Sequence, residues 1–456
     1  MASGALARVR SLMTGSSLTA RALRSSALIV GGFGASQAMR LVSNLVLTRL
    51  LFPEAFGLMG LVTVFLIGLM MFSDFGIGPA IARSPRGDDP DFLNTAWTLQ
   101  ILRGIVLFAI GCAAAQPVAA FFGEPVLAGM LILASVQFLI AGLMPTRRET
   151  ANRHLRLGRV TALDLAAQVV ALVVMVALAF WLRSVWALVL GTLAATAMQV
   201  LLMTLFLPGK GNRPRWDALS ARELVNFGKW IFLSTICGFL LTQGDKLILG
   251  KFLPLDAFGI YNIGFFLGSF PMTLGMVAIT KVLIPIYRDC PPQASRANFL
   301  KLRKMRVLVT GGLMTLLAVM AFAGVWLVEL LYDDRYRDAG AVVVMIACIQ
   351  IPVVIGLTYD QAALTAGDSR RFFVVTAIKA ALALAGIYLG AQTGGLVGAL
   401  VGQGLAFLAA YPALVWLVAR LGAWDPAHDI GFALPGLAVA SGAIWWNWPA
   451  IAALAH

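Results

Sequence analysis

About a dozen apolar windows of roughly twenty residues follow one another along this chain, each closed off by charge, Pro or Gly. Wound as an α-helix, such a window matches the hydrocarbon core of a bilayer. Lipid offers a spanning backbone no outside hydrogen-bond partner, which favours helices of this length. The windows fall at 26–47, 55–82, 94–115, 126–144, 160–182 and 185–207, then at 224–249, 257–287, 307–330, 339–364, 372–389 and 395–419. The polar stretch PGKGNRPRWDALSARE separates the two sets. The pattern predicts an all-α polytopic membrane protein with about 12 transmembrane helices in two pseudo-symmetric six-helix lobes. The expected divisions are an N-lobe at 1–207, a cytoplasmic linker at 208–223, a C-lobe at 224–419 and an apolar C-terminal tail at 420–456. The tail is interrupted by WWNWP, so it reads as one more span, a hairpin or an interfacial helix.

Only 12% of the residues are charged, where a soluble protein has about a quarter, and 60% are hydrophobic. The net charge of +14 would suggest nucleic acid as partner of a soluble domain. In a membrane protein it points to cytoplasmic loops rich in Lys and Arg. With the N-terminus inside, roughly two dozen cations fall on inner segments and about five outside, at Arg49, Arg183, Lys251, Arg335 and Arg337. This asymmetry supports both the span count and a cytoplasmic N-terminus, with no nucleic-acid partner. The N-terminal arginines followed by a long apolar run read as a retained first span.

Residues 49–60, RLLFPEAFGLMG, echo residues 251–262, KFLPLDAFGIYN. Both fall at an outer turn between an odd and an even span, so the halves read as parallel repeats, the architecture of a transporter. The plainer account is a shared helix-start turn, with Glu54 or Asp256 near a helix N-terminus. Loop position and charge bias agree with the repeat.

The four cysteines have neither metal nor redox spacing, the three histidines have no partner spacing, and no phosphate-binding Gly-rich loop occurs. The chain is therefore expected to be no enzyme and to hold no metal and no cofactor. Its polar chemistry lies within the spans, where ionisable groups face a cavity or each other. Arg40, Arg103 and Lys379 are central cations without a neighbouring acid, and Gln37 and Asn44 share one helical face with Arg40. These five are the candidate substrate-binding residues, suited to an anionic group such as phosphate. Asp74, in SDFGIG, and Asp360 are candidates for coupling or gating, with H+ or Na+ as the ion. Lys229, Lys246 and Lys281 read as snorkelling cations, Asp245 as the ion-pair partner of Lys246, and the intramembrane Ser and Thr as interhelical glue.

LVLTRLLFPEAFGLMGLVTVF, FSDFGIGPAIARS and LNTAWTLQILRG resemble the N-terminal half of Wzx-type polysaccharide flippases. TQGDKLILGKFLPLDAFGIYNIGFFLGSFP is similar to the start of their second half, and the resemblance runs to about residue 419. These proteins belong to the multidrug/oligosaccharidyl-lipid/polysaccharide exporter superfamily. The resemblance implies two six-helix lobes arranged as a V in the bacterial inner membrane. It also implies alternating access that moves undecaprenyl-diphosphate-linked oligosaccharide to the outer leaflet, alongside other polysaccharide assembly proteins. A cation-coupled multidrug extruder of the same fold, a membrane enzyme of glycan assembly and a scaffold are the competing readings.

Overall fold

The computed structural model describes residues 18–73, 76–154, 156–228, 232–359 and 369–454, and every regular element among them is a helix. In chain order these are α1 (Leu18–Leu50), α2 (Pro53–Phe72), α3 (Ile77–Arg83), α4 (Pro90–Phe122), α5 (Pro125–Gly142), α6 (Arg147–Arg153), α7 (Leu157–Leu182), α8 (Trp186–Phe206) and α9 (Ala218–Gly228). There follow α10 (Phe232–Phe252), α11 (Leu255–Gly268), α12 (Phe270–Ala278), α13 (Ile284–Asp289), α14 (Arg296–Leu331), α15 (Ala339–Ile349), α16 (Ile351–Leu357), α17 (Ser369–Arg420), α18 (Pro426–Trp446) and α19 (Trp448–Leu454). Among the described residues eight helices are long and apolar enough to cross a bilayer, or ten when each bent pair counts as one span. The chain is thus a multi-pass membrane protein.

The chain divides into two compact units, residues 1–51 with 65–235, and residues 52–64 with 236–456. In the first, α4 packs on α5 where Gly104 and Gly142 let the backbones approach, and Gly32 of α1 admits Thr161 of α7. Small residues are what allow such contacts between membrane helices, because lipid supplies no hydrophobic drive to bring them together.

In the second unit α15 forms the centre. Every residue from Ala339 to Cys348 is buried, as expected for a helix that is apolar all round. α11 and α12 bend by 42° at Ser269, and the helical segments on either side of Gln350 bend by 41°. Gln350 donates to the Gly268 carbonyl at 3.4 Å, so the two bends lie side by side. The 52-residue α17 breaks at Gly394 and Gly395, and Gly395 has φ 54° and ψ −136°, a backbone shape that suits glycine. The halves fold back as a hairpin, with Gly386 against Gly402 and Gly390 against Gly398.

The two matching turns of the sequence meet. A Cβ on Gly57 would overlap the Leu255 carbonyl, and one on Gly259 would overlap the Pro53 carbonyl. Residues 52–64 therefore pack within the second unit, with Phe56 edge-on to Tyr336 and Arg335 over the Phe52 ring.

Two expected boundaries shift, and the open reading of the tail resolves. The window 55–82 is two helices, because Gly76 adopts φ 64° and starts α3 afresh after α2 has ended at Phe72. The window 224–249 begins too early, since 224–228 close α9, whose Leu224 is buried among Ile77, Ala80, Ile81, Phe92 and Ala96. The tail holds α18, a 21-residue helix of spanning length, and the short α19 beyond Asn447.

Candidate functional site

α1 carries the polar face foreseen from its spacing. Ser36 donates to Gln168 of α7 at 2.9 Å, while Gln37 and Asn44 are half-buried and Arg40 is exposed. The Asn44 side-chain oxygen is buried without a partner among the described residues. A little further along the same side of the unit, Gln199 donates to Asp164 at 2.7 Å and Arg148 lies 3.6 Å from the same carboxylate. Arg40 has no hydrogen bond or ion pair among the described residues, so its guanidinium is open to a ligand or solvent.

Arg103 is placed differently. Its Nε donates to Ser73 at 3.0 Å and one terminal nitrogen to the Met70 carbonyl at 2.8 Å. It therefore ties down the end of α2 through one helix carbonyl and the Ser73 hydroxyl. Lys379 is half-buried on α17, in the second unit. Asp74, Asp360 and Lys229 lie outside the described residues, as does the side chain of Lys281. Lys246 pairs with Asp245 at 3.0 Å, stands 3.8 Å over the Phe265 ring, and Tyr261 donates to the same carboxylate. Asp245 is thus held by two donors, and Lys246 faces a ring, where the sequence suggested snorkelling.

A buried polar cluster in the second unit was not foreseen. Arg306, counted from sequence among loop cations, is fully buried. Its Nε donates to Tyr287 at 3.0 Å and a terminal nitrogen to the Ala423 carbonyl at 2.7 Å, and the Tyr359 ring lies 4.5 Å away. Tyr359 donates to Asp429 at 2.7 Å, which also accepts from Trp424 at 2.9 Å and contacts His428 at 3.1 Å. His428 reaches Thr310 of α14 at 3.0 Å. The cluster pins the tail helix α18 to α14 and to the end of α16. An apolar cavity of ≈ 300 Å³ adjoins it, lined by Cys348, Ile351, Pro352, Tyr411, Asp429 and Ala433 among others. The signal was in the spacing, for Arg306 and Thr310 share the buried stripe Leu302, Leu313 and Leu317.

At one end of the first unit three basic loops interlock. Arg153 donates to the carbonyls of Ile81, Ala82 and Ser84, closing α3, and pairs with Asp88 at 3.1 Å. Arg86 holds Asp89 at 2.9 Å and reaches Asp217 at 3.4 Å, Arg215 pairs with Asp91 at 2.7 Å, and Ser84 donates to Glu223 at 2.8 Å. The hydrogen bond from His154 holds Asp88 below the usual carboxylate range, and that from Arg86 does the same for Asp89. The folded chain then binds fewer protons than the unfolded one. This contribution is full above about pH 4 and is lost as pH falls through the lowered values. The thermal midpoint should drop on acidification in that window, and Asp88→Asn should flatten part of the drop. An identical pH profile for the variant would show that Asp88 contributes nothing.

The comparisons with known proteins agree with this architecture. The family described as polysaccharide biosynthesis protein matches residues 46–341. The lipopolysaccharide biosynthesis protein WzxC of Escherichia coli (strain K12) is 23% identical over 367 residues, 79% of this chain and 73% of that protein. The teichuronic acid biosynthesis protein TuaB of Bacillus subtilis (strain 168) is 22% identical over 246 residues, and the match spans 52% of this chain and only half of TuaB. Among solved structures, the lipid II flippase MurJ in an inward closed conformation superposes with a TM-score of 0.69, at 11% identity, over 93% of this chain and 99% of that one. An inward-facing multidrug resistance MATE family transporter of the MOP superfamily gives 0.63 at 14% identity, over 85% and 95%. The structural likenesses establish the fold, the family match covers well over half of the sequence, and this chain belongs to the polysaccharide biosynthesis protein family.

Proposed function

We propose that the chain is a transporter, not an enzyme, that moves a polyprenyl-diphosphate-linked oligosaccharide across the bacterial inner membrane for surface polysaccharide assembly. The observation that carries this is the family match over residues 46–341 in a chain built on an exporter fold. The names of its relatives point the same way, since WzxC serves lipopolysaccharide and TuaB teichuronic acid biosynthesis, and MurJ is a lipid II flippase. The MATE likeness alone would suit a multidrug extruder, and the family match favours the saccharide.

The charge asymmetry of the loops supports a cytoplasmic N-terminus, with the interlocked basic loops on the inner side. We assign Arg40 to the diphosphate, because it is the central cation of α1 and its planar donors match phosphate oxygens. Gln37 and Asn44 flank it, and the unpartnered Asn44 oxygen suits a sugar hydroxyl. Arg103 acts through position, by fixing the end of α2 beside Asp74, while Lys379 serves the second unit and Asp74 and Asp360 couple or gate with H+ or Na+. The Arg40→Ala, Arg103→Ala double variant should abolish polymer export, with lipid-linked oligosaccharide accumulating and the membrane level of the protein unchanged. Normal polymer output from that variant would overturn the assignment.

A further inference from the structure

The end of the first unit where the basic loops interlock also holds an open cavity of ≈ 770 Å³ between the start of α4, α6 and the strap 207–213. It adjoins a second space of ≈ 410 Å³ that shares Arg147, His154 and Arg156 with it. Arg147, Arg156, Lys210 and Arg213 line the larger cavity and Arg159 the smaller. Among the described residues none of these five forms an ion pair with a carboxylate. The one acid on the wall, Asp88, is already engaged by Arg153 and His154.

Arg147 is the built part of this wall. A terminal nitrogen donates to the Leu207 carbonyl at 2.7 Å, which fixes the side chain across the cavity floor. Its Nε is buried and has no acceptor among the described residues. The strap is shaped to allow this. Gly209 has φ 143°, and a Cβ there would sit 2.9 Å from the Arg147 Cδ. Asn212 accepts from the Thr146 backbone at 3.0 Å and donates to its hydroxyl at 2.7 Å, closing the strap onto α6. Five cations held without an ion-pair partner around two adjoining cavities form an arrangement that a doubly charged oxyanion would neutralise.

We propose that this cavity is a phosphate-class anion site at the inner membrane surface, distinct from the cations within the spans. Its ligand is a diphosphate or a phosphodiester headgroup. Arg147 and Arg156 clamp the oxyanion, and Lys210 adds a mobile ammonium from the strap. The assignment goes beyond the transport reading and does not depend on it, because it concerns binding at the loop end of one unit.

The test uses the full chain in nanodiscs of phosphatidylcholine, titrated with sodium pyrophosphate by calorimetry at low salt. A saturable component that depends on Arg156 and Lys210 is expected. Arg156→Gln with Lys210→Gln should weaken it by about tenfold or more, since two charge-assisted contacts are lost. Both side chains are exposed, so the unfolding midpoint of this double variant should match the wild type. Arg40→Gln should leave the component of binding that Arg156 and Lys210 supply at its wild-type affinity, whatever it removes within the spans, which separates this site from the transport assignment. Discs containing phosphatidylglycerol identify the source: displacement of pyrophosphate assigns the site to a lipid headgroup, and undiminished binding assigns it to a diphosphate. Wild-type affinity in the double variant, or no pyrophosphate binding together with no stabilisation by phosphatidylglycerol, would overturn the proposal.

Discussion

Replacing Gly402 with leucine is expected to open the α17 hairpin and to remove most of the folded protein from detergent extracts. Gly402 faces Gly386, and a Cβ at either position would overlap the other's carbonyl oxygen. Backbone atoms have no alternative rotamer, so the two limbs must separate along their length. Gly390 and Gly398 make the same contact one turn away, and opening the hairpin forfeits both. Overpacking a tight core costs about 1–3 kcal/mol, occasionally more, and a backbone clash belongs at the upper end. Gly394→Ala is the control, because nothing lies within 4 Å of its Cβ and its φ is negative. The midpoint of thermal unfolding in a mild detergent should fall steeply for Gly402→Leu and stay near wild type for Gly394→Ala. Equal midpoints would mean that the limbs do not need their close approach.

Arg306→Met is expected to release α18 from the second unit. The substitution keeps much of the length and removes the charge, so the Tyr287 hydroxyl and the Ala423 carbonyl lose their donors in a buried place. Hydrogen bonds to charged groups contribute about 1.5–3 kcal/mol, and a desolvated cation over a ring about 2 kcal/mol. The loss should therefore approach 3 kcal/mol even though methionine fills part of the space. Arg306→Lys should recover only part of it, since an ammonium lacks the planar fork that bonds Tyr287 and Ala423 from different nitrogens. Limited proteolysis after residue 420 should cleave the methionine variant faster than the wild type. Equal cleavage rates would show that apolar packing alone anchors the tail.

The helical class, the polytopic character and the family were legible because lipid imposes long apolar windows, and window length survives without any knowledge of packing. Boundaries were less legible where a short helix follows a span. The apolar character resumes at Ile77 after a polar step too short to close a window, and the left-handed Gly76 starts α3 as a separate helix. Arg306 was missed for a related reason. Its neighbours Lys301, Arg303 and Lys304 make the segment look like a solvated loop, whereas α14 runs on through it and buries one face. The polar face of α1 was visible from its spacing because side chains three and seven residues apart stack along a helix. What Arg103 does was not, since a carbonyl acceptor on another helix leaves no mark in the sequence.

The meeting of residues 57 and 259 has a consequence for descent. Two like segments that pack on each other are not free to drift one at a time, because each glycine sits against the backbone that the other segment supplies. A side chain acquired at one position can persist only if the facing segment recedes, so the two sites should covary across members of the family. At this crossing the likeness of the two segments is held in place by contact.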